Sequence, residues 1–163
     1  MNIEVLTKLR NNPAKFPNRT GNSFAIEGIS LSNIEQLEQN WNNGNPFPKA
    51  LRELLFLAGD YCYVLDYNLW EDQQEMQEEL RDVMQSKGHS FSRPFYIIDN
   101  YAGGSVYQFL FVYLDGDQID PIVHEYYVGA LERGTSLDRS LGQTLSSFIS
   151  IGIDRVRDGR NPM

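Results

Sequence analysis

The chain has 163 residues, 41% of them hydrophobic and 12% aromatic, and a formal net charge of −8. That is the composition of one folded domain, which buries roughly 70% of the surface its unfolded chain exposes. It excludes a disordered chain. No apolar run approaches the ~18 residues that span a bilayer, and the acidity argues against direct nucleic-acid binding, which needs clustered lysine and arginine.

In chain order, Ile3, Leu6 and Leu9 mark a short helix within residues 2–11. The segment NNPAKFPNRTGNS then reads as loop. Phe24 and Ile26 suggest a short strand or an extended arm. Ser32 and Glu35 form a capping-box pattern, and Ile34, Leu37 and Trp41 share one helical face. Pro46 and Pro48 open the next helix, where proline is tolerated. Its apolar face is Phe47, Leu51, Leu54, Leu55 and Ala58, and Gly59 is the expected stop.

Tyr61 to Tyr67 is β-prone. Asn68, with Glu71 three residues on, reads as the cap of a third helix. Leu69, Met76, Leu80, Val83 and Met84 form its apolar face, and Lys87-Gly88 closes it. Its other face carries Glu71, Asp72, Glu75, Glu78, Glu79 and Asp82. Like charges at i, i+4 along such a face cost a few tenths of a kcal/mol per pair. A helix that carries this cost has reason to present its charge to a partner.

Pro94 to Asp99 is a short strand, and Gly103-Gly104 a turn. Val106 to Leu114 is apolar on both faces, the mark of a central strand. Asp115-Gly116 signals a hairpin. Pro121 to Val128 is the returning strand, with His124 half-buried on it. Leu141, Leu145, Phe148 and Ile149 suggest a final helix capped by Ser136 or Asp138, after which the tail RVRDGRNPM frays. Helices followed by consecutive hairpin-linked strands indicate an α+β fold, a single domain with an antiparallel sheet of about four to six strands flanked by helices. The expected organisation is an N-terminal helix and arm over residues 1–29, the α+β domain over 30–157 and a frayed tail over 158–163.

Searching for chemistry yields little. Gly103-Gly104 lacks the lysine of a phosphate loop. Asp115, Asp117 and Asp120 could supply oxygen ligands to calcium, but Tyr126 stands where an EF-hand loop needs its glutamate, and the loop reads as a solvated hairpin turn. One cysteine and two distant histidines, His89 and His124, do not make a zinc site. Neither metal nor cofactor is expected, and no catalytic residue is assigned. Cys62 reads as a small buried hydrophobe. As a lone thiol it cannot close an internal disulfide. The start, MNIEVLTKLRNNP, does not read as a signal peptide. Both point to the cytoplasm.

Ile34-Glu35-Gln36-Leu37-Glu38, Phe47-Pro48-Lys49-Ala50-Leu51-Arg52-Glu53-Leu54-Leu55, the aromatic strand Phe109 to Tyr113, the acidic turn Asp115 to Asp117, Asp120-Pro121-Ile122-Val123 and Ser147-Phe148 follow one another in an order that resembles the SUKH superfamily. That superfamily includes yeast regulators of cell-wall glucan synthesis and a set of bacterial relatives. The resemblance spans roughly residues 30–153 and implies a single α+β domain with no catalytic residues. It also implies a bacterial immunity protein that binds and neutralises a toxin, often a nuclease. Complementary charge between an acidic inhibitor and a basic toxin domain would speed association. The residues expected at such an interface are Trp70, Glu71, Glu75, Glu78, Asp115 and Asp117. The alternative is a regulatory or scaffold module that binds a non-toxin protein. An unrecognised hydrolase would instead need a deep pocket with convergent polar groups.

Overall fold

Four antiparallel strands in the order β1-β2-β3-β4 organise the molecule. They are β1 (Phe95–Asp99), β2 (Gln108–Tyr113), β3 (Ile122–Tyr127) and β4 (Asp138–Thr144). The helices are α1 (Thr7–Asn11), α2 (Leu31–Trp41), α3 (Lys49–Ala58), α4 (Gln73–Ser86) and α5 (Leu145–Arg157). The computed structural model describes residues 1–21, 23–66, 70–100, 108–131 and 134–162. The fold is α+β, as the element order implies.

β2 is central, paired with β1 and β3, and five of its six residues are buried. Phe109, Phe111 and Tyr113 point to one face. There Phe91 stacks on Phe111 at 4.8 Å and Phe109 stacks on Tyr126 at 4.6 Å. On the opposite face Tyr96 packs against Phe47 at 4.9 Å, which ties the sheet to the helical layer. The apolar faces read for α2 and α3 are in place, with Ile34, Leu37, Phe47, Leu51, Leu54, Leu55 and Ala58 buried.

The N-terminal segment joins this same core through Ile3, Leu6 and Leu9. The carboxylate of Glu53, itself fully buried, accepts the backbone N–H groups of Glu4, Val5 and Leu6 at 2.8, 2.9 and 2.7 Å. One side chain of α3 thereby satisfies three amides that lead into α1, whose first-turn donors have no intrahelical partner. α1 covers only the second half of the helix expected over residues 2–11.

Several expected boundaries move. Ser30, not Ser32, caps α2 by accepting the Asn33 N–H at 3.1 Å. Asp72 caps α4 by accepting the Glu75 N–H at 2.9 Å, so the helix starts after Glu71. Asn68 and Leu69 lie outside the described residues, as do Tyr67, the Gly103-Gly104 turn, Val106 and Tyr107. Tyr61 to Asp66 is not a strand. Only Tyr61 makes an isolated bridge, to Glu27, while Cys62, Tyr63, Val64 and Leu65 are core. The expected arm at Phe24 and Ile26 is likewise reduced to one bridge, between Ala14 and Ala25.

The largest correction is at residues 138–144. The final helix expected to start near Ser136 or Asp138 does not include them: they form β4, and α5 begins only at Leu145 with Thr144 as its cap. Ser136 and Asp138 are therefore not helix caps. The physical reason is pairing: β3 offers an open edge, and the polar stretch DRSLGQT fits an edge strand that is wet on its outer side. At the other end α5 runs through Arg157, so Arg155 to Arg157 are helical rather than frayed.

Candidate functional site

The acidic face of α4 is built as the periodicity implies. Met76, Leu80 and Met84 are buried, while Glu71, Asp72, Glu75, Glu78, Glu79 and Asp82 are exposed. Trp70 lies half-buried at the head of the helix, and its indole N–H donates to Glu79 at 2.7 Å. Glu75 accepts the Glu71 N–H at 2.7 Å, and Glu78 accepts the Gln74 amide. Among the described residues none of these six carboxylates makes an ion pair. The one cation on the helix, Arg81, turns inward. Its guanidinium lies 4.3 Å from the Trp41 ring and 3.8 Å from the Phe95 ring, and it donates to the Phe95 carbonyl at 2.6 Å. Burial pulls its pKa down to about 10, so it remains a cation at neutral pH.

The β2–β3 loop spends its acids on itself. Arg93 holds Asp115 through Nη2 at 2.6 Å and Nε at 3.0 Å, and keeps its carboxyl below the usual range. Asp117 accepts the N–H groups of Ile119 and Asp120, at 2.7 and 3.2 Å, with the same effect. Asp120 accepts the Ser146 N–H at 2.9 Å at the start of α5. The loop also docks on α3: the carbonyls of Gln118 and Ile119 accept the Lys49 and Ala50 N–H groups, both at 2.8 Å. These acids therefore form a locked turn. Among the described residues no group of three His, Cys, Asp or Glu could hold a metal ion.

The six expected interface residues fall into two separate groups. α4 runs antiparallel to β1, with Gln77 beside Ile97 and Arg81 beside Phe95. Glu71 and Glu75 thus lie toward the Asp99 end of β1. Asp115, tied to Arg93, lies beyond its Phe95 end, about 13 Å away along a strand of this length. Trp70, Glu71, Glu75 and Glu78 form one surface; Asp115 and Asp117 belong to another.

An open cleft of about 730 Å³, not foreseen from the sequence, lies at the far side of the sheet. Gln108, Glu125, Tyr127, Asp138, Arg139 and Ser140 line much of it. Glu125 is gripped by Arg139, whose Nε donates at 2.6 Å, and by the Gln108 amide. Asp138 accepts the Ser136 and Tyr113 hydroxyls, which hold its carboxyl below the usual range.

Comparison with family models, with curated proteins and with solved structures returns no match to this chain. Chemistry must therefore be read from the geometry alone. His124 faces Ser140 across the β3–β4 ladder, with Asp138 two residues earlier. In a hydrolytic triad the carboxylate would hold the imidazole. Here Tyr113 and Ser136 occupy Asp138, while His124 Nδ1 is buried without a hydrogen bond and its ring stacks on Phe111 at 5.4 Å. Burial lowers the His124 pKa. The three residues are neighbours but not a relay.

Proposed function

We propose that this chain is a non-catalytic protein-binding domain that meets a basic partner through the outer face of α4. In the reading that fits the SUKH-like element order, it is a bacterial immunity protein that neutralises a toxin domain, such as a nuclease, in the cytoplasm. One observation carries the proposal: six exposed carboxylates at the head and outer face of α4 make no ion pair among the described residues, whereas the acids of the β2–β3 loop are spent internally. Unpaired charge of one sign on a rigid helix raises the association rate with an oppositely charged partner and disfavours others.

The test is a triple reversal, Glu71→Lys, Glu75→Lys and Glu78→Lys, measured against a basic toxin domain encoded beside this gene. Affinity at low salt should fall at least about tenfold, and its salt dependence should flatten. Circular dichroism checks that the fold survives. Unchanged low-salt binding by the folded variant would sink the α4 interface. A neighbouring gene for a large toxin favours immunity, and its absence favours a regulatory module.

A further inference from the structure

A smaller pocket lies where α5 packs on the sheet, on the face opposite Phe109 and Phe111. Leu110 pairs with Glu125, and Glu125 with Arg139, so these three form one row across β2, β3 and β4 and share a face. Phe148, Ile151 and Arg155 recur at i, i+3 and i+7, which is one face of α5. The two rows, with Leu141 of β4, enclose a volume of about 180 Å³.

The charges that line this pocket do not balance. Glu125 is fully engaged: Arg139 Nε donates to its Oε2 at 2.6 Å, and the Gln108 amide donates to its Oε1. Arg155 has no such partner. Its Nε is buried without a hydrogen bond, and among the described residues its guanidinium makes no ion pair. The acids nearest to it along α5 are taken, Asp154 by Lys8 and Asp158 by Arg160. A cation in the last turn of a helix complements the helix dipole. That accounts for a positive charge at position 155 but leaves a buried donor unsatisfied, which is costly. A chain of net charge −8 thus lines this pocket with one uncompensated positive charge.

The walls beside that charge are apolar. Leu110 is buried and Phe148 half-buried, while Ile151 is 42% exposed. At about 30 Å³ per water there is room for roughly six waters, or a ligand of roughly six to eight non-hydrogen atoms. A guanidinium fork matches a carboxylate in shape as well as charge. A bare inorganic anion would leave the apolar walls wet.

We propose that this pocket binds a carboxylate carried on a short apolar chain, with its charge on Arg155 and its body against Phe148 and Ile151. Arg139, whose side chain is 70% exposed, offers further donors at the same pocket. Two sources supply that chemistry: a free branched aliphatic acid, and the C-terminal residue of a peptide that ends in an apolar side chain. The site shares no residue with the α4 surface and does not depend on it.

The probes are 4-methylpentanoate, its neutral amide, acetate, and acetyl-Ala-Leu with a free C-terminal carboxylate. Each is titrated into the full ¹⁵N-labelled chain. The acid should bind with a Kd on the order of 1 mM, as a ligand of this size allows, and at least about tenfold tighter than either the amide or acetate. Shifted amides should cluster at residues 139–141 and 148–155. Tighter binding of the peptide supports the site and assigns it to a protein C-terminus; binding of the free acid alone supports it and assigns it to a small molecule. Arg155→Gln should abolish the preference for acid over amide. Ile151→Ser should weaken acid and amide alike, and it keeps the test open if Arg155→Gln does not fold. Equal binding of acid and amide overturns the proposal, as do equal binding of acid and acetate, shifts centred elsewhere, and no saturation by either carboxylate at 50 times the expected Kd.

Discussion

Gln77 and Ile97 bond to one another twice. The Ile97 N–H donates to Gln77 Oε1 at 3.0 Å, and Gln77 Nε2 donates to the Ile97 carbonyl at 2.7 Å. The side-chain amide thus does what a neighbouring strand would do, where the β1 edge is buried under α4. Both backbone groups would otherwise be orphaned, because Ile97 is fully buried.

Gln77→Ala should therefore destabilise the chain by about 1–3 kcal/mol for each orphaned group. Gln77→Glu separates the two bonds. A carboxylate still accepts the Ile97 N–H but opposes its carbonyl, whereas the protonated acid donates. Urea denaturation should show the Glu variant gaining on Gln77→Ala as pH falls. A pH-independent difference between the two variants would refute the double bond.

Glu53 is the second such device. Its carboxylate clasps three successive backbone amides of the N-terminal segment. Glu53→Gln turns one acceptor into a donor facing N–H groups and should cost about 1–3 kcal/mol. The loss is local first. Hydrogen exchange at Glu4, Val5 and Leu6 should accelerate more than at the β2 amides. Uniform acceleration would mean that Glu53 supports the core generally rather than this junction.

Asp99 makes a pH prediction. It is fully buried, accepts the Asp66 N–H at 2.8 Å through Oδ1, and its Oδ2 has no partner. Desolvation, with the Asp66 carboxylate adding to it, raises its pKa well above that of an ordinary aspartate, despite the backbone bonds that oppose the shift. The folded chain then holds a proton that the unfolded chain releases. Stability falls as pH rises from the unfolded pKa, near 3.9, toward the folded one. Asp99→Asn keeps the oxygen that accepts the Asp66 N–H and removes the titration. Its stability relative to wild type should improve as pH rises above about 4 and level off above the folded pKa, and a difference that is flat with pH would show that Asp99 is ionised in the fold.

The helical layer was legible because burial and period coincide: Ile34, Leu37, Leu51, Leu54 and Leu55 recur at helical spacing and are all core. β2 was legible because both its faces are apolar. β4 was not, since nothing in DRSLGQT alternates clearly and Gly142 interrupts it; its state is set by the open edge of β3. Gln73 and Gln77 were missed for a related reason. They continue the buried stripe of Met76, Leu80 and Met84, but a polar residue on that stripe looks like surface until its backbone or tyrosine partner is known. The acidic α4 face could be read from spacing alone. The cleft could not, because its lining converges from three strands and a turn that only the fold brings together.

The α4 face also sets stability against recognition. Glu78 and Asp82 lie one turn apart, a like-charge spacing that costs a few tenths of a kcal/mol. Neither holds a backbone amide, unlike Asp72 and Glu75. Glu78→Gln with Asp82→Asn should therefore raise stability by up to about 0.5 kcal/mol at low salt. The gain should vanish in 1 M salt, where the Debye length falls to about 3 Å. The same pair of changes should weaken binding of a basic partner. Thermal unfolding at two salt concentrations, paired with calorimetric titration of the partner, reads both effects. A variant that is more stable and binds unchanged would show that these two charges serve neither the fold nor the interface.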